Sequence, residues 1–183
     1  MIIESQHNNF RVKLEINYYK ESEIEIITNA VKHMTMAMGD PYFEFFCREY
    51  EYKIEKNTGF WFWKKTSYEY YKGFYKSEGL TGYQIYTRLL QGKEILSNDM
   101  DYESDIYLKI DRTYNPGVIG YTYPDTKWQW IYQRILDDWD YQDIAGNFAH
   151  EWCHKMGFSH ESNYTEQRRH SVPYAVGYYV RDF

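Results

Sequence analysis

Eleven consecutive residues constrain this chain more than any other stretch: His150–Glu151–Trp152–Cys153–His154–Lys155–Met156–Gly157–Phe158–Ser159–His160. On a helix, residues four apart lie about 40° apart around the axis and roughly 6 Å along it. That spacing sets His150 and His154 on one face, one turn apart, where two imidazole nitrogens can reach one metal ion. Glu151 lies about 100° round from His150, close enough to touch a water on that metal without ligating it. Gly157 falls where the helix has to stop if a third ligand is to fold back, and glycine takes the required φ > 0 at low steric cost. His160, just past that bend, can supply the third nitrogen. Three neutral imidazoles leave the fourth position of a tetrahedral zinc open for water, as in catalytic sites. At ordinary residue frequencies the pattern recurs by chance with odds on the order of 10⁻⁵ in a chain this long.

These residues resemble the signature of the metzincin clan of zinc metallopeptidases, H-E-x-x-H-x-x-G-x-x-H followed by a methionine-bearing turn. The likeness is complete through His160. The nearest counterpart of the turn is Ser171–Val172–Pro173–Tyr174, and no Met follows Met156. The resemblance implies an α+β catalytic domain over residues 1–183: a twisted mixed sheet of about five strands, a backing helix, a zinc-binding helix and a minimal C-terminal portion. It implies a zinc-dependent endopeptidase acting on proteins or peptides, with His150, His154 and His160 holding Zn²⁺. Glu151 would serve as general base and then general acid. The resembling families often carry a Tyr just past the Met, which makes Tyr174 a candidate assisting hydroxyl, with Tyr178 and Tyr179 as further options.

Other assignments compete for these residues. Glu161 or Glu166 can be put forward as the third ligand, as in the other large H-E-x-x-H group, but Glu166 follows too closely for a separate helix to form. Cys153 reads as a small buried thiol inside the motif helix, with a thiolate ligand the remote alternative. Asp143 and Asn147 precede His150 on the same face, where a supporting contact is conceivable. A different class of protein is a zinc-stapled, Tyr-rich structural or binding module. Glu151 argues against it, since a structural site has no use for that carboxylate and wants a fourth protein donor.

The formal net charge of −6 argues against nucleic acid, whose binders carry basic patches. No run of 18 or more apolar residues is present, so no membrane span is expected. The opening Met1–Ile2–Ile3–Glu4 lacks a basic and then apolar leader, which points to the cytoplasm or to release without a signal peptide. Two cysteines, Cys47 and Cys153, make no disulfide framework. The 22 Tyr, 6 Trp and 10 Phe suit half-buried strand faces or a tyrosine-lined groove.

Along the chain, Phe10–Tyr18 alternates as a strand with Val12, Leu14 and Ile16 on one side. Ser22–Glu25 reads as a capping box opening a helix that Gly39 and Pro41 close. Phe43–Lys53 reads as a second, aromatic strand, and His33 and His7 as ordinary histidines. Residues 55–100 read as an insertion between strands, with short aromatic segments at Gly59–Trp63 and Tyr68–Tyr75 and a helix from Tyr83 to Gln91 behind the Thr81–Gln84 box. Asp99–Asp105 places acids at alternate positions without the Gly and Glu of a calcium loop, hence a solvated turn. Asp105–Ile110, Gly117–Tyr123 and Trp128–Leu136 follow as the third to fifth strands; the metzincin resemblance implies that the fourth is the antiparallel edge lining the cleft, to which a peptide can add as another strand. Asp143–Lys155 is the zinc helix, and Val172–Phe183 turns under the metal and ends helically.

Overall fold

Alternating apolar residues build the sheet. Strand β2 (Phe10–Ile16) buries Phe10, Val12, Leu14 and Ile16 and turns Arg11, Lys13 and Glu15 away, as a pleated ribbon with one covered face must. A computed structural model gives the arrangement of residues 1–58, 63, 65–92, 94, 96 and 100–183. Strand β1 (Ile2–His7) pairs antiparallel with β2, and β5 (Glu103–Asp111) runs parallel to β2 on its other side. Next come β7 (Trp128–Tyr132), parallel to β5, and the short edge strand β6 (Gly120–Thr122), antiparallel to β7. The sheet is therefore five-stranded and mixed, ordered β1-β2-β5-β7-β6. With six α-helices around it among the described residues, the architecture is α+β.

Helix α1 (Glu21–Gly39) lies on β1 and β2 through Ile27, Ala30, Val31, Met34 and Met38, and against α5 (Tyr141–Lys155). Helix α5 continues to β6. One core runs from Ile3 through Val180 and joins all these elements. On the other face of the sheet Tyr121 stacks on Trp130 at 5.1 Å, and the Lys109 ammonium sits 4.2 Å from the centre of the Trp128 ring. Part of the tyrosine and tryptophan content thus serves strand faces, as the composition suggested. No helix among the described residues is long and apolar enough to cross a membrane.

Several expectations need correcting. The aromatic segment expected as a second strand from Phe43 to Lys53 is mainly helix α2 (Pro41–Arg48), followed by strand β3 (Glu51–Thr58). Asp40 caps α2 by accepting from the Tyr42 N–H at 2.7 Å, Pro41 occupies its first turn, and Phe43 and Cys47, four apart, face the core. An Asp-Pro start and a spacing of four outweigh the strand preference of the phenylalanines. The sheet keeps five strands because β1, not expected at all, takes the vacant place.

Strand β3 pairs with β4 (Lys65–Lys72) as a separate two-stranded ribbon. The aromatic stretch expected from Tyr68 to Tyr75 lies in β4 and its continuation; that at Gly59–Trp63 lies, except for Trp63, outside the described residues. The fourth strand is shorter than Gly117–Tyr123. The fifth ends at Tyr132, where the chain turns into helix α4 (Gln133–Asp138). Helix α1 begins one residue before the expected Ser22 cap: the Glu23 carboxylate accepts from the Lys20 N–H at 2.7 Å. Helix α3 (Gly82–Gln91) does carry the Thr81–Gln84 capping box and ends at Gly92 with φ 72°. The acidic stretch is no solvated turn at its end. Glu103 and Ser104 are buried at the start of β5, and Arg11 and Lys13 pair with Glu103.

Candidate metal centre

Helix α5 begins at Asp140, whose carboxylate accepts from the Asp143 N–H at 2.9 Å. Its core face carries Ile144, Ala145, Phe148, Ala149 and Trp152, and the Trp152 indole N–H donates to the Leu89 carbonyl at 3.1 Å. With that face fixed, His150 and His154 point together toward the cleft. The helix stops as the glycine demands. Gly157 has φ 89°, and the Phe158 N–H returns to the Cys153 carbonyl at 3.0 Å. The chain folds back and brings His160 to the other two.

The result is one cluster. Nitrogens of His150, His154 and His160 lie within 4.8 Å of one another, the one set of three or more His, Cys, Asp or Glu groups so disposed among the described residues. The Nε2 atoms of His150 and His160 are 3.2 Å apart. Two nitrogens on a tetrahedral zinc, each at about 2.0–2.1 Å, stand about 3.3 Å from each other. The second nitrogens of two of the rings are already committed: Nδ1–H of His154 donates to the Phe158 carbonyl at 2.8 Å, and Nδ1–H of His160 to the Glu161 carbonyl at 3.0 Å. Those bonds fix the tautomer that leaves Nε2 bare, the usual support of a metal-ligating imidazole. Burial lowers the basicity of all three rings, His154 to about 4, and the nearby Arg168 charge adds to it. Neutral imidazoles are what a metal requires. The donor set fits zinc.

Glu151 lines the same cleft with its carboxyl buried, which raises its pKa to about 8 against the pull of Lys155. Lys155 in turn donates to the Thr126 and Tyr123 carbonyls and ties the β6–β7 turn to α5. Helix α6 (Val172–Asp182) closes the third side. It crosses α5 at two glycines, where a Cβ on Gly146 would stand 2.7 Å from the Gly177 carbonyl and one on Gly177 2.9 Å from that of Gly146. This close approach places the Tyr174 ring 4.6 Å from His150 and 4.9 Å from His160, centre to centre. The cleft, about 560 Å³, runs on past edge strand β6 and the loop before it, Gly117–Ile119.

The other candidates part company here. Tyr178 also faces the cleft, whereas Tyr179 stacks on Phe46 at 4.5 Å on the far side of α6. Glu161 spends its carboxylate on the Tyr75 hydroxyl at 2.6 Å, Glu166 is exposed, and neither belongs to the cluster. Cys153 is fully buried with its thiol pKa pushed well up, the packing role expected of it. Asp143 and Asn147 line the cleft, and the Asn147 amide lies against Gly120.

Sequence reasoning missed three things. Arg168, whose Nη2–H donates to the Tyr174 hydroxyl at 2.7 Å, gave no signal because its loop has no pattern. The Gly146–Gly177 crossing had a faint one, since glycine inside a helix is costly without a packing reason. In the strap Tyr75–Lys76, the Tyr75 N–H donates to the His170 carbonyl and its hydroxyl to Glu161, while Lys76 forms an ion pair with Glu161 at 3.7 Å, bringing the expected insertion to the residue beside His160. No family model, curated protein or solved structure matches the chain.

Proposed function

We propose that the protein is a zinc-dependent endopeptidase of metzincin-like type, its zinc held by His150, His154 and His160 and its proton transfers carried by Glu151. The observation that carries this reading is the convergence of one ring nitrogen from each of three histidines on one point of a cleft that also holds a buried carboxyl. No fourth His, Cys, Asp or Glu joins the cluster among the described residues. That favours an open, catalytic site over a zinc staple. A zinc ion at this place supplies Lewis acidity toward a carbonyl oxygen and a nucleophile at neutral pH.

The chain's own groups do the rest. An extended substrate pairs with the free edge of β6, using backbone groups that β7 leaves unpaired, and so presents a peptide bond to the cleft. A carboxylate Oε of Glu151 takes a proton from the attacking water and hands it to the departing amide nitrogen. The Tyr174 hydroxyl, held by Arg168, stands on the histidine side of the cleft, where it can donate to the carbonyl oxygen as negative charge develops there. Trp152, Gly146 and Gly177 act only through position.

The test compares wild type with Glu151→Gln on unfolded casein at equal zinc content measured by elemental analysis. Wild-type cleavage that a chelator abolishes and zinc restores, with a loss of about 10²-fold or more in the variant, supports the reading. Equal rates in the two proteins refute it.

A further inference from the structure

Among the described residues, Arg168 is the cation of the cleft wall that no carboxylate pairs with. It follows the third ligand by eight residues in the turn Gln167–His170 and lies half-buried in the cleft wall. Of the five N–H groups of a guanidinium, Nη1 donates to the Ser162 carbonyl at 2.8 Å and Nη2 to the Tyr174 hydroxyl at 2.7 Å. Both acceptors are neutral. The Nε atom is shielded from solvent and has no hydrogen-bond partner among the described residues. Its central carbon lies 4.5 Å from the Tyr164 ring centre and 5.0 Å from that of Tyr174, so aromatic faces hold the plane of the fork.

The acids nearby belong to other cations. Glu161 takes the Tyr75 hydroxyl and Lys76, and Asp182 takes Arg181 at 2.7 Å. Of the two carboxyls in the cleft wall, Asp143 feels Arg181 and Glu151 feels Lys155. A guanidinium desolvated on one side and left with neutral acceptors is an incomplete site, and its complement is a planar carboxylate able to accept from two N–H groups at once.

We propose that Arg168 sets substrate specificity by binding a carboxylate of the peptide next to the scissile bond, an Asp or Glu side chain or a free C-terminus. This rests on the endopeptidase reading, and deepens it by naming the substrate class. Arg168 also positions Tyr174, so it acts on two groups from one place. A C-terminal source would narrow the activity to removal of terminal residues, and the two sources separate by experiment.

The experiment uses matched peptides that differ only in Asp against Asn, Glu against Gln, or free against amidated C-terminus around the cleaved bond. Zinc-loaded wild type, Arg168→Gln and Arg168→Lys are compared by kcat/KM. Wild type is expected to favour one acidic member by about 10- to 100-fold, mostly through KM. Arg168→Gln brings the acid-to-amide ratio near one, whatever its absolute rate, and Arg168→Lys keeps part of it. A wild-type ratio near one overturns the proposal. So does a preference that survives in Arg168→Gln, since the metal would then be the attracting charge. Fluorescence-anisotropy binding of the same peptides to zinc-loaded Glu151→Gln, with and without Arg168→Gln, gives a readout free of turnover. Acid-selective binding lost with Arg168 sustains the proposal, and binding indifferent to acid or amide overturns it. Failure of folded, zinc-loaded wild type to cleave any peptide refutes the endopeptidase reading, while the binding arm still decides the role of Arg168.

Discussion

The α5–α6 pair and the β3–β4 ribbon use the same residue types to opposite ends. In the helical pair the two chains touch through Gly146 and Gly177, Trp152 is fully buried, and Tyr174 is wedged against two histidines. In the ribbon most residues are exposed, Tyr70 at 79 %, and its contacts are largely cross-strand, such as Lys56 with Glu69 at 2.5 Å. A tyrosine count therefore says nothing about tyrosine function. What separates the two regions is how many other elements surround each ring, and stability and metal affinity should divide along that line.

Trp152→Ala is the most severe way to challenge this division. It opens a cavity beneath the histidines and strands the Leu89 carbonyl, and a loss of about 3–5 kcal/mol is expected in urea unfolding of the zinc-free protein. Gly177→Ala comes second. Its new Cβ meets the Gly146 carbonyl and lies 3.3 Å from the His150 Cβ, so about 1–3 kcal/mol of overpacking and weaker zinc binding are expected together. Tyr75→Phe probes the seam between the regions. Removing the hydroxyl that holds Glu161 loosens the residue whose carbonyl orients His160, and a zinc Kd weakened about tenfold is expected by competition with a chromophoric chelator. Tyr70→Ala, at the far end of the scale, should shift stability by no more than about 0.5 kcal/mol. A larger loss there would mean that the exposed face of the ribbon, opposite the one through which Tyr52 stacks on His170, is also packed against something, and would erase the contrast.

A pH experiment sharpens the same comparison. Burial, with help from Asp105 and Asp101 and against Lys155, raises Glu94 from its ordinary value to about 7. The folded state therefore binds the proton more tightly than the unfolded chain. The resulting stabilisation is complete below about pH 4.3 and disappears as pH rises through about 7. Glu94→Gln should remove this component, so that unfolding free energy falls less between pH 4.5 and 7.5 than in wild type. Parallel pH curves would count against a desolvated carboxyl on half-buried Glu94.

Legibility in the sequence follows the same physics. The histidine cluster could be read because a helix with 3.6 residues per turn converts spacing directly into direction, and because Gly157 marks the stop. Strand β2 was legible because alternation is strict and one face is fully covered. Helix α2 was misread because Phe43, Phe45 and Phe46 satisfy a strand and a helix alike, and only the cap at Asp40 and Pro41 decides. Strand β1 was missed because, at the sheet edge, it buries little beyond Ile3 and so carries almost no pattern. Arg168 and the glycine crossing depend on which distant segments meet, and local spacing does not encode that.

Zinc K-edge X-ray absorption of the metal-loaded protein tests the central claim most directly. Three imidazole nitrogens and one light atom not supplied by the protein, at about 2.0–2.1 Å, are expected, with one imidazole lost in His160→Ala. A sulfur in the shell, or an unchanged spectrum in His160→Ala, would contradict an open site made by His150, His154 and His160.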